Sequence, residues 1–332
     1  RQTLAVVAAA RRASVIRRPE LDDPALGAAQ TTNARERLVY VLNGMVTKGW
    51  LSPAERAQIS FPETIPHVKI NKVGPAAFVI NEVKNELSRK LNLSAAAIDR
   101  GGFRIVTTIE KKAQTAALKA VNDTMPTEQA AKDLRVGLTA IRPDDGAIVA
   151  MYGGKDIARY AFNTATQATM QGGSTFKVFG LLAALQKGIS TKTRYAGYSP
   201  RYLPEYADAT GKPANPRGKV PNFGNEQFGS IDLRKALADS VNTVFAQLNV
   251  DLASPGTTAT GVRDAAIAAG LPKGCEGSDT AGCTRGLGTN ITNIFGTASP
   301  PILDMANAYL TIAPQGRRAT PSPINMRTPA PC

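Results

Sequence analysis

Histidine is almost missing from this chain, and the shortage narrows its chemistry. The 332 residues hold one, His67, in the stretch Phe61-Pro62-Glu63-Thr64-Ile65-Pro66-His67. A Ser-His-Asp hydrolase would have to use that residue. A proline-punctuated connector reads as an exposed spacer, which argues against such a role. An activated serine here therefore needs a different base. The same shortage disfavours zinc, because the three cysteines offer no second pair to complete a ligand set. No metal and no cofactor is expected.

Long apolar runs are also lacking. No stretch reaches the roughly 18 residues that a membrane-spanning helix needs. Residues 4–10 are apolar, but Arg1, Arg11 and Arg12 flank them closely, and a signal-peptide start and cleavage site are absent. Any membrane anchor is expected upstream of this chain. Acidic residues are in deficit, 26 against 40 basic ones, for a net charge of +14. That balance suits a basic soluble surface, an anionic membrane face, an acidic polymer or nucleic acid. Aromatics make up only 6% and do not interleave with the basic pairs Arg11-Arg12, Arg17-Arg18 and Arg317-Arg318. No helix-turn-helix, finger or stacking platform is legible, so nucleic acid is not an expected partner. Of the cysteines, Cys275 and Cys283 bracket a short polar loop containing glycine. The spacing suits a local disulfide and an oxidising compartment, with two free thiols as the alternative. Cys332, the last residue, has no obvious partner.

What the chain does have centres on Gly172-Gly173-Ser174-Thr175-Phe176-Lys177, which opens an apolar stretch closed by Gly188. It reads as one buried helix, with Gly188 as a left-handed cap. Ser174 and Lys177 interrupt it at i and i+3, on one helix face. A lysine so placed loses hydration, which lowers its pKa, and a neutral amine can take a neighbouring hydroxyl's proton. The plain alternative is a serine N-cap and a lysine that snorkels out of the helix.

Around this stretch the order of elements is mixed. Residues 1–57 read as helical: a short helix at 2–12, and an amphipathic one at 33–48 with Leu38, Val41, Leu42, Met45 and Val46 on one face. Ser52 and Pro53 open a further short helix. Residues 58–100 are a connector, rich in proline at first, with a helix at 77–91. A strand is expected at 103–110 and a helix at 111–123. Strands at 136–142 and 147–152 flank Pro143-Asp144-Asp145-Gly146, a hairpin signal. After the Ser174 stretch, 190–229 reads as a long polar loop. A helix capped by Ser230 follows, and Ser240-Val241-Asn242 interrupts it. Serine and asparagine compete for backbone hydrogen bonds, so such a break can set both side chains in a cleft, or it can be a simple turn between helices. Further helices are expected at 243–249, 261–270 and 302–313.

Ser174-Thr175-Phe176-Lys177 followed by Ser240-Val241-Asn242 resembles the first two active-site motifs of serine penicillin-recognising enzymes, a constellation that includes a third motif, Lys-Thr-Gly. Four further stretches are similar to the bifunctional class A penicillin-binding proteins: residues 102–110, the hairpin at 138–154, the approach to Ser174 at 162–174, and Leu303-Asp304-Met305-Ala306-Asn307-Ala308-Tyr309. Residues 1–57 resemble the helical tail of their peptidoglycan glycosyltransferase domain. On this resemblance 1–57 is a glycosyltransferase remnant, 58–100 a linker and 101–332 an incomplete transpeptidase domain. The chain lacks Lys-Thr-Gly; Lys192-Thr193-Arg194 is misplaced and has no glycine. It therefore looks truncated before that motif.

The resemblance implies an α+β fold: an antiparallel sheet flanked by helices, an all-helical subdomain, and C-terminal strands missing. It implies a D,D-transpeptidase that cross-links stem peptides ending in D-Ala-D-Ala through an acyl-serine and is acylated by β-lactams. Ser174 would be the nucleophile, Lys177 the base, Ser240 a proton relay to the leaving D-alanine, and Asn242 the holder of the donor amide. Cell-envelope synthesis proteins are the implied partners, and the outer face of the bacterial cytoplasmic membrane the implied location. An inactive penicillin-binding-like module that binds peptides is the alternative. A basic scaffold for an anionic polymer is a third reading.

Overall fold

The computed structural model describes residues 24, 27–62, 74–128, 133–207, 215–253, 260–275 and 282–324. The helix expected at 2–12, His67 and Cys332 lie outside them. The chain divides after residue 71 into two compact units.

In the first unit α1 (Ala28–Thr47) buries Leu38, Leu42 and Met45, with Val41 and Val46 packed beside them. That is the face its apolar period marks. Leu51, Ile59 and Phe61 complete this small core. Ser52 caps α2 (Pro53–Ala57) in a reciprocal box. Its hydroxyl accepts from the Glu55 N–H, and the Glu55 carboxylate accepts from the Ser52 N–H.

The second unit begins with α3 (Ala76–Leu91), α4 (Ala95–Arg100) and α5 (Lys111–Thr124). β1 (Leu138–Ile141) and β2 (Ile148–Tyr152) then form the expected antiparallel hairpin, with Leu138 opposite Tyr152 and Ala140 opposite Ala150. Gly146 turns it at φ 74. Helices α3 and α5 pack on β2. The strand expected at 103–110 does not form. Thr107 makes a single bridge to Ile324, and Phe103 and Val106 are exposed. The free edge of β2 is satisfied differently. The Gln114 amide takes both backbone groups of Met151, and the Glu110 N–H donates to Val149 O. β-branched content gives a segment the capacity to pair, but a side chain from α5 occupies part of the edge it would pair with.

A 3₁₀ turn, Gly173–Phe176, leads into α6 (Lys177–Gln186). The region expected to be a loop at 190–229 holds β3 (Arg194–Ala196), β4 (Arg201–Tyr202) and β5 (Lys219–Val220). β4 pairs with β5, and β3 pairs with β6 (Ser230–Asp232). Strands of two or three residues carry no readable alternation. Ser230 is thus a strand residue and not a helix cap. α7 (Leu233–Ala238) is capped by Asp232, whose carboxylate accepts from the Lys235 N–H at 2.8 Å. α8 (Asn242–Leu252), α9 (Thr260–Ala269) and α10 (Ile302–Ile312) follow. α10 packs on β1, while α6 packs on α8 and α9. The larger core is helical, with Phe176, Phe179, Leu233, Val244, Phe245, Leu248 and Ile294 buried together. A smaller one under the hairpin joins Ile148, Met151 and Ala165 to Ile109 and Leu303. A hairpin packed by α3, α5 and α10, together with a larger helical core, is the α+β arrangement the sequence implied.

Cys275 and Cys283 are joined in a disulfide. Alkylation of the native, unreduced protein is expected to modify one of the three cysteines, and all three after reduction. Intact mass reads the difference, and three modified cysteines without reduction would exclude the bond. Among the described residues no helix is long and apolar enough to cross a membrane.

Candidate active site

Ser174 and Lys177 meet because of how α6 begins. Gly173 takes a left-handed φ of 57, and the turn Gly173–Phe176 is 3₁₀. With three residues per turn, positions i and i+3 eclipse. The backbone bond that closes this turn runs from the Lys177 N–H to Ser174 O. Lys177 Nζ is 3.1 Å from Ser174 Oγ. Phe176 and Phe179, both fully buried and edge to face at 5.1 Å, fix the turn against the helical core. The expected single α-helix is thus a 3₁₀ turn spliced onto an α-helix, and the splice sets the pair in line.

Ser240 and Asn242 arrive from the break between α7 and α8. The Val241 N–H donates to Ala236 O at 2.9 Å and the Ser240 N–H to Leu237 O at 3.1 Å, a Schellman closure of α7. Its left-handed residue is Ser240, at φ 56, where glycine is usual. A non-glycine residue there costs about 1–2 kcal/mol. Strain of this kind collects at functional sites. It brings the Ser240 Oγ to 3.0 Å from Lys177 Nζ, and Asn242 Oδ1 to 2.7 Å. Lys177 Nζ also donates to the Ser240 carbonyl. The Asn242 amide donates in turn to Pro221 O at 3.0 Å. Three of the four residues singled out in the sequence, Ser174, Ser240 and Asn242, therefore converge on the amine of the fourth, Lys177.

Lys177 is fully buried, whereas Ser174 and Ser240 are exposed. The partners recorded for its ammonium group are hydroxyls, a carbonyl and an amide oxygen, with no carboxylate among them. Burial therefore governs, and it pushes the lysine down from 10.5 to about 8. Near neutral pH such an amine keeps a useful neutral fraction. A buried amine with one exposed hydroxyl at 3.1 Å and a second at 3.0 Å is an arrangement in which the neutral amine can accept a hydroxyl proton. Among the described residues no cluster of histidine, cysteine, aspartate and glutamate could hold a metal ion. A hollow of about 560 Å³ lies instead beside Thr107, Glu110, Arg142 and Asp145. No serine, lysine or cysteine lines it.

Three parts of the site were not legible in the sequence. Gly296, at φ 70, lies against Gly173, whose N–H donates to Gly296 O at 3.0 Å. The Gly172 N–H donates to Ala298 O at 2.9 Å. The Tyr309 hydroxyl donates to Thr175 O at 2.8 Å. Each is a contact to backbone across more than a hundred residues, for which sequence has no local sign.

Residues 136–327 match the family described as the penicillin binding protein transpeptidase domain. The chain is 32% identical over 320 residues to penicillin-binding protein 1A of Mycobacterium tuberculosis, covering 95% of this chain and 36% of that protein. It is 33% identical over 320 residues to penicillin-binding protein 1A of Mycolicibacterium smegmatis, again over 95% of this chain and 38% of the relative. The chain thus spans little more than a third of the length of these relatives. Among solved structures it is similar to the PonA1 protein of Mycobacterium tuberculosis in complex with penicillin V. That likeness has a TM-score of 0.64 and 30% identity, and covers 76% of this chain and 62% of the other.

Proposed function

The chain belongs to the penicillin-binding protein transpeptidase family, and on that premise we propose that it carries the acyl-serine half of a peptidoglycan D,D-transpeptidase. The supporting observation is the convergence of Ser174, Ser240 and Asn242 on the buried amine of Lys177. The substrate is a stem peptide ending in D-Ala-D-Ala. Lys177, in its neutral form, takes the Ser174 Oγ proton as Oγ attacks the carbonyl of the penultimate D-alanine. Ser240 Oγ passes its proton to the nitrogen of the departing D-alanine and is replenished across 3.0 Å by the proton that Lys177 took from Ser174. An amine on a neighbouring peptide then takes the acyl group from Ser174, and the proton that this amine sheds returns through Lys177 to Ser174 Oγ. Asn242 holds the donor's amide. The Ser174 N–H, in the first turn of its helix, is a backbone donor of the kind that stabilises a carbonyl oxygen as it becomes negative. A β-lactam acylates the same oxygen, its ring opening in place of peptide cleavage. Residues 1–57 are the tail of a glycosyltransferase domain, 58–100 a linker and 101–332 transpeptidase domain. The work is done on the outer face of the bacterial cytoplasmic membrane, among cell-envelope synthesis proteins.

Incubation with a labelled penicillin tests the reading. Intact mass should gain one adduct, and peptide mapping should place it on Ser174. No adduct on a chain shown to be folded, or an adduct on another residue, would overturn it and leave the peptide-binding module.

A further inference from the structure

Asn222 is a buried asparagine that the chemistry above does not use, and its side chain is fully engaged. Its Oδ1 accepts from the Thr243 N–H at 3.0 Å. Its amide donates to Gly197 O at 3.0 Å and to Glu226 O at 2.9 Å. Its own N–H donates to Ser199 Oγ at 2.9 Å. Three separate segments are tied at this one residue. The bond to Thr243 bears most on function. The first turn of a helix leaves N–H groups without partners, and a nearby side-chain oxygen usually supplies the cap. The residue preceding α8 is Val241, which has no such oxygen. Asn222, 21 residues upstream, provides it instead. The helix it caps begins with Asn242. The residue before it, Pro221, accepts from the Asn242 amide. Asn242 is thus held twice by one dipeptide, through its backbone neighbour and through its side chain.

We propose that Asn222 is a positioning residue for acyl transfer, acting through Asn242. It caps α8 from a distance and so sets where the Asn242 amide meets the acylamino group of the donor. This rests on the proposed function, and concerns ligands with an amide beside the reacting carbonyl: stem peptides, and β-lactams with an acylated ring amine.

The test is a double-mutant cycle read as the second-order rate of Ser174 acylation. Two ligands are used, benzylpenicillin, which has the acylamino group, and 6-aminopenicillanic acid, which bears a free amine there. Wild type must label first; if it does not, the proposed function fails and not this inference. Asn222→Ala is expected to slow benzylpenicillin on the order of 10- to 100-fold, the scale on which a misplacement of about 1 Å acts. It should slow 6-aminopenicillanic acid far less. In an Asn242→Ala background the same substitution should cost little more, because effects that act through one group do not multiply. Equal slowing of both ligands, or an undiminished effect of Asn222→Ala without Asn242, would overturn the proposal. If Asn222→Ala does not fold, Asn222→Asp retains the oxygen that caps Thr243 while losing both amide donors. It is then expected to keep most of the wild-type preference for benzylpenicillin over the free amine, and loss of that preference would count against capping as the cause.

Discussion

Ser174→Ala is expected to lose the penicillin adduct entirely, and Lys177→Met to slow its formation by about 10²- to 10⁴-fold, the range a positioned general base contributes. Methionine is an unbranched side chain of similar length without the amine, so the variant removes the base while keeping most of the volume. The pH dependence carries a fixed sign. Burial brings the lysine down to about 8, so the neutral amine gains as pH rises through that value. With a pKa of about 8, roughly a tenth is neutral at about pH 7 and roughly nine tenths at about pH 9. Wild-type acylation should therefore climb by nearly an order of magnitude over that interval and level off above it, while the methionine variant shows no such rise. Stability follows the same shift. The unfolded chain keeps the proton up to about 10.5 and the folded chain releases it near 8. The burden of burying the ammonium is full below about 8, and stability recovers between about 8 and 10.5 as the folded amine becomes neutral. A wild-type profile that is flat between about pH 7 and 9, or a methionine variant that reacts at the wild-type rate, would remove Lys177 from the role of base.

Gly296→Ala is expected both to destabilise the fold and to displace the turn that carries Ser174. Gly296 is left-handed, at φ 70, and a Cβ there would stand 2.1 Å from Gly173 O and 2.3 Å from Gly173 N. Both contacts are with backbone, so no side chain can turn aside. The two strands of chain must separate, and Gly173 carries Ser174 with it. A left-handed alanine costs about 1–2 kcal/mol, and forced overpacking adds about 1–3 kcal/mol. Urea denaturation should show the sum, about 2–5 kcal/mol. Folded protein should label on the order of 10²-fold more slowly, since the nucleophile leaves its line with Lys177. Gly188→Ala separates the causes. It too is left-handed, at φ 78, but a Cβ there meets nothing within 4 Å. It should lose only the conformational part and label normally. If Gly296→Ala is no worse than Gly188→Ala, the close crossing of Gly173 and Gly296 does not hold the nucleophile.

Sequence by itself settled whatever depends on neighbours a few residues apart. The i, i+3 spacing put Ser174 and Lys177 on one line, and the single histidine left lysine as the candidate base. Asp145-Gly146 specified the hairpin, and Ser52-Pro53 specified a helix start. The Ser240-Val241-Asn242 break was visible because polar residues interrupt an apolar period. Tertiary structure decided what depends on distant backbone. Whether 103–110 becomes a strand turned on Gln114 occupying the edge of β2. The start of α7 turned on Ser230–Asp232 pairing with β3, which leaves Asp232 and not Ser230 to cap it. Asn222 and Gly296 lie in stretches with no local signal, and their parts follow from chain crossings 21 and 123 residues apart in sequence, between Asn222 and Thr243 and between Gly173 and Gly296. The physical reason is one of range. Helical spacing, caps and turns are short-range properties written into adjacent side chains. The approach of one backbone to another is fixed only when the whole core has closed around it.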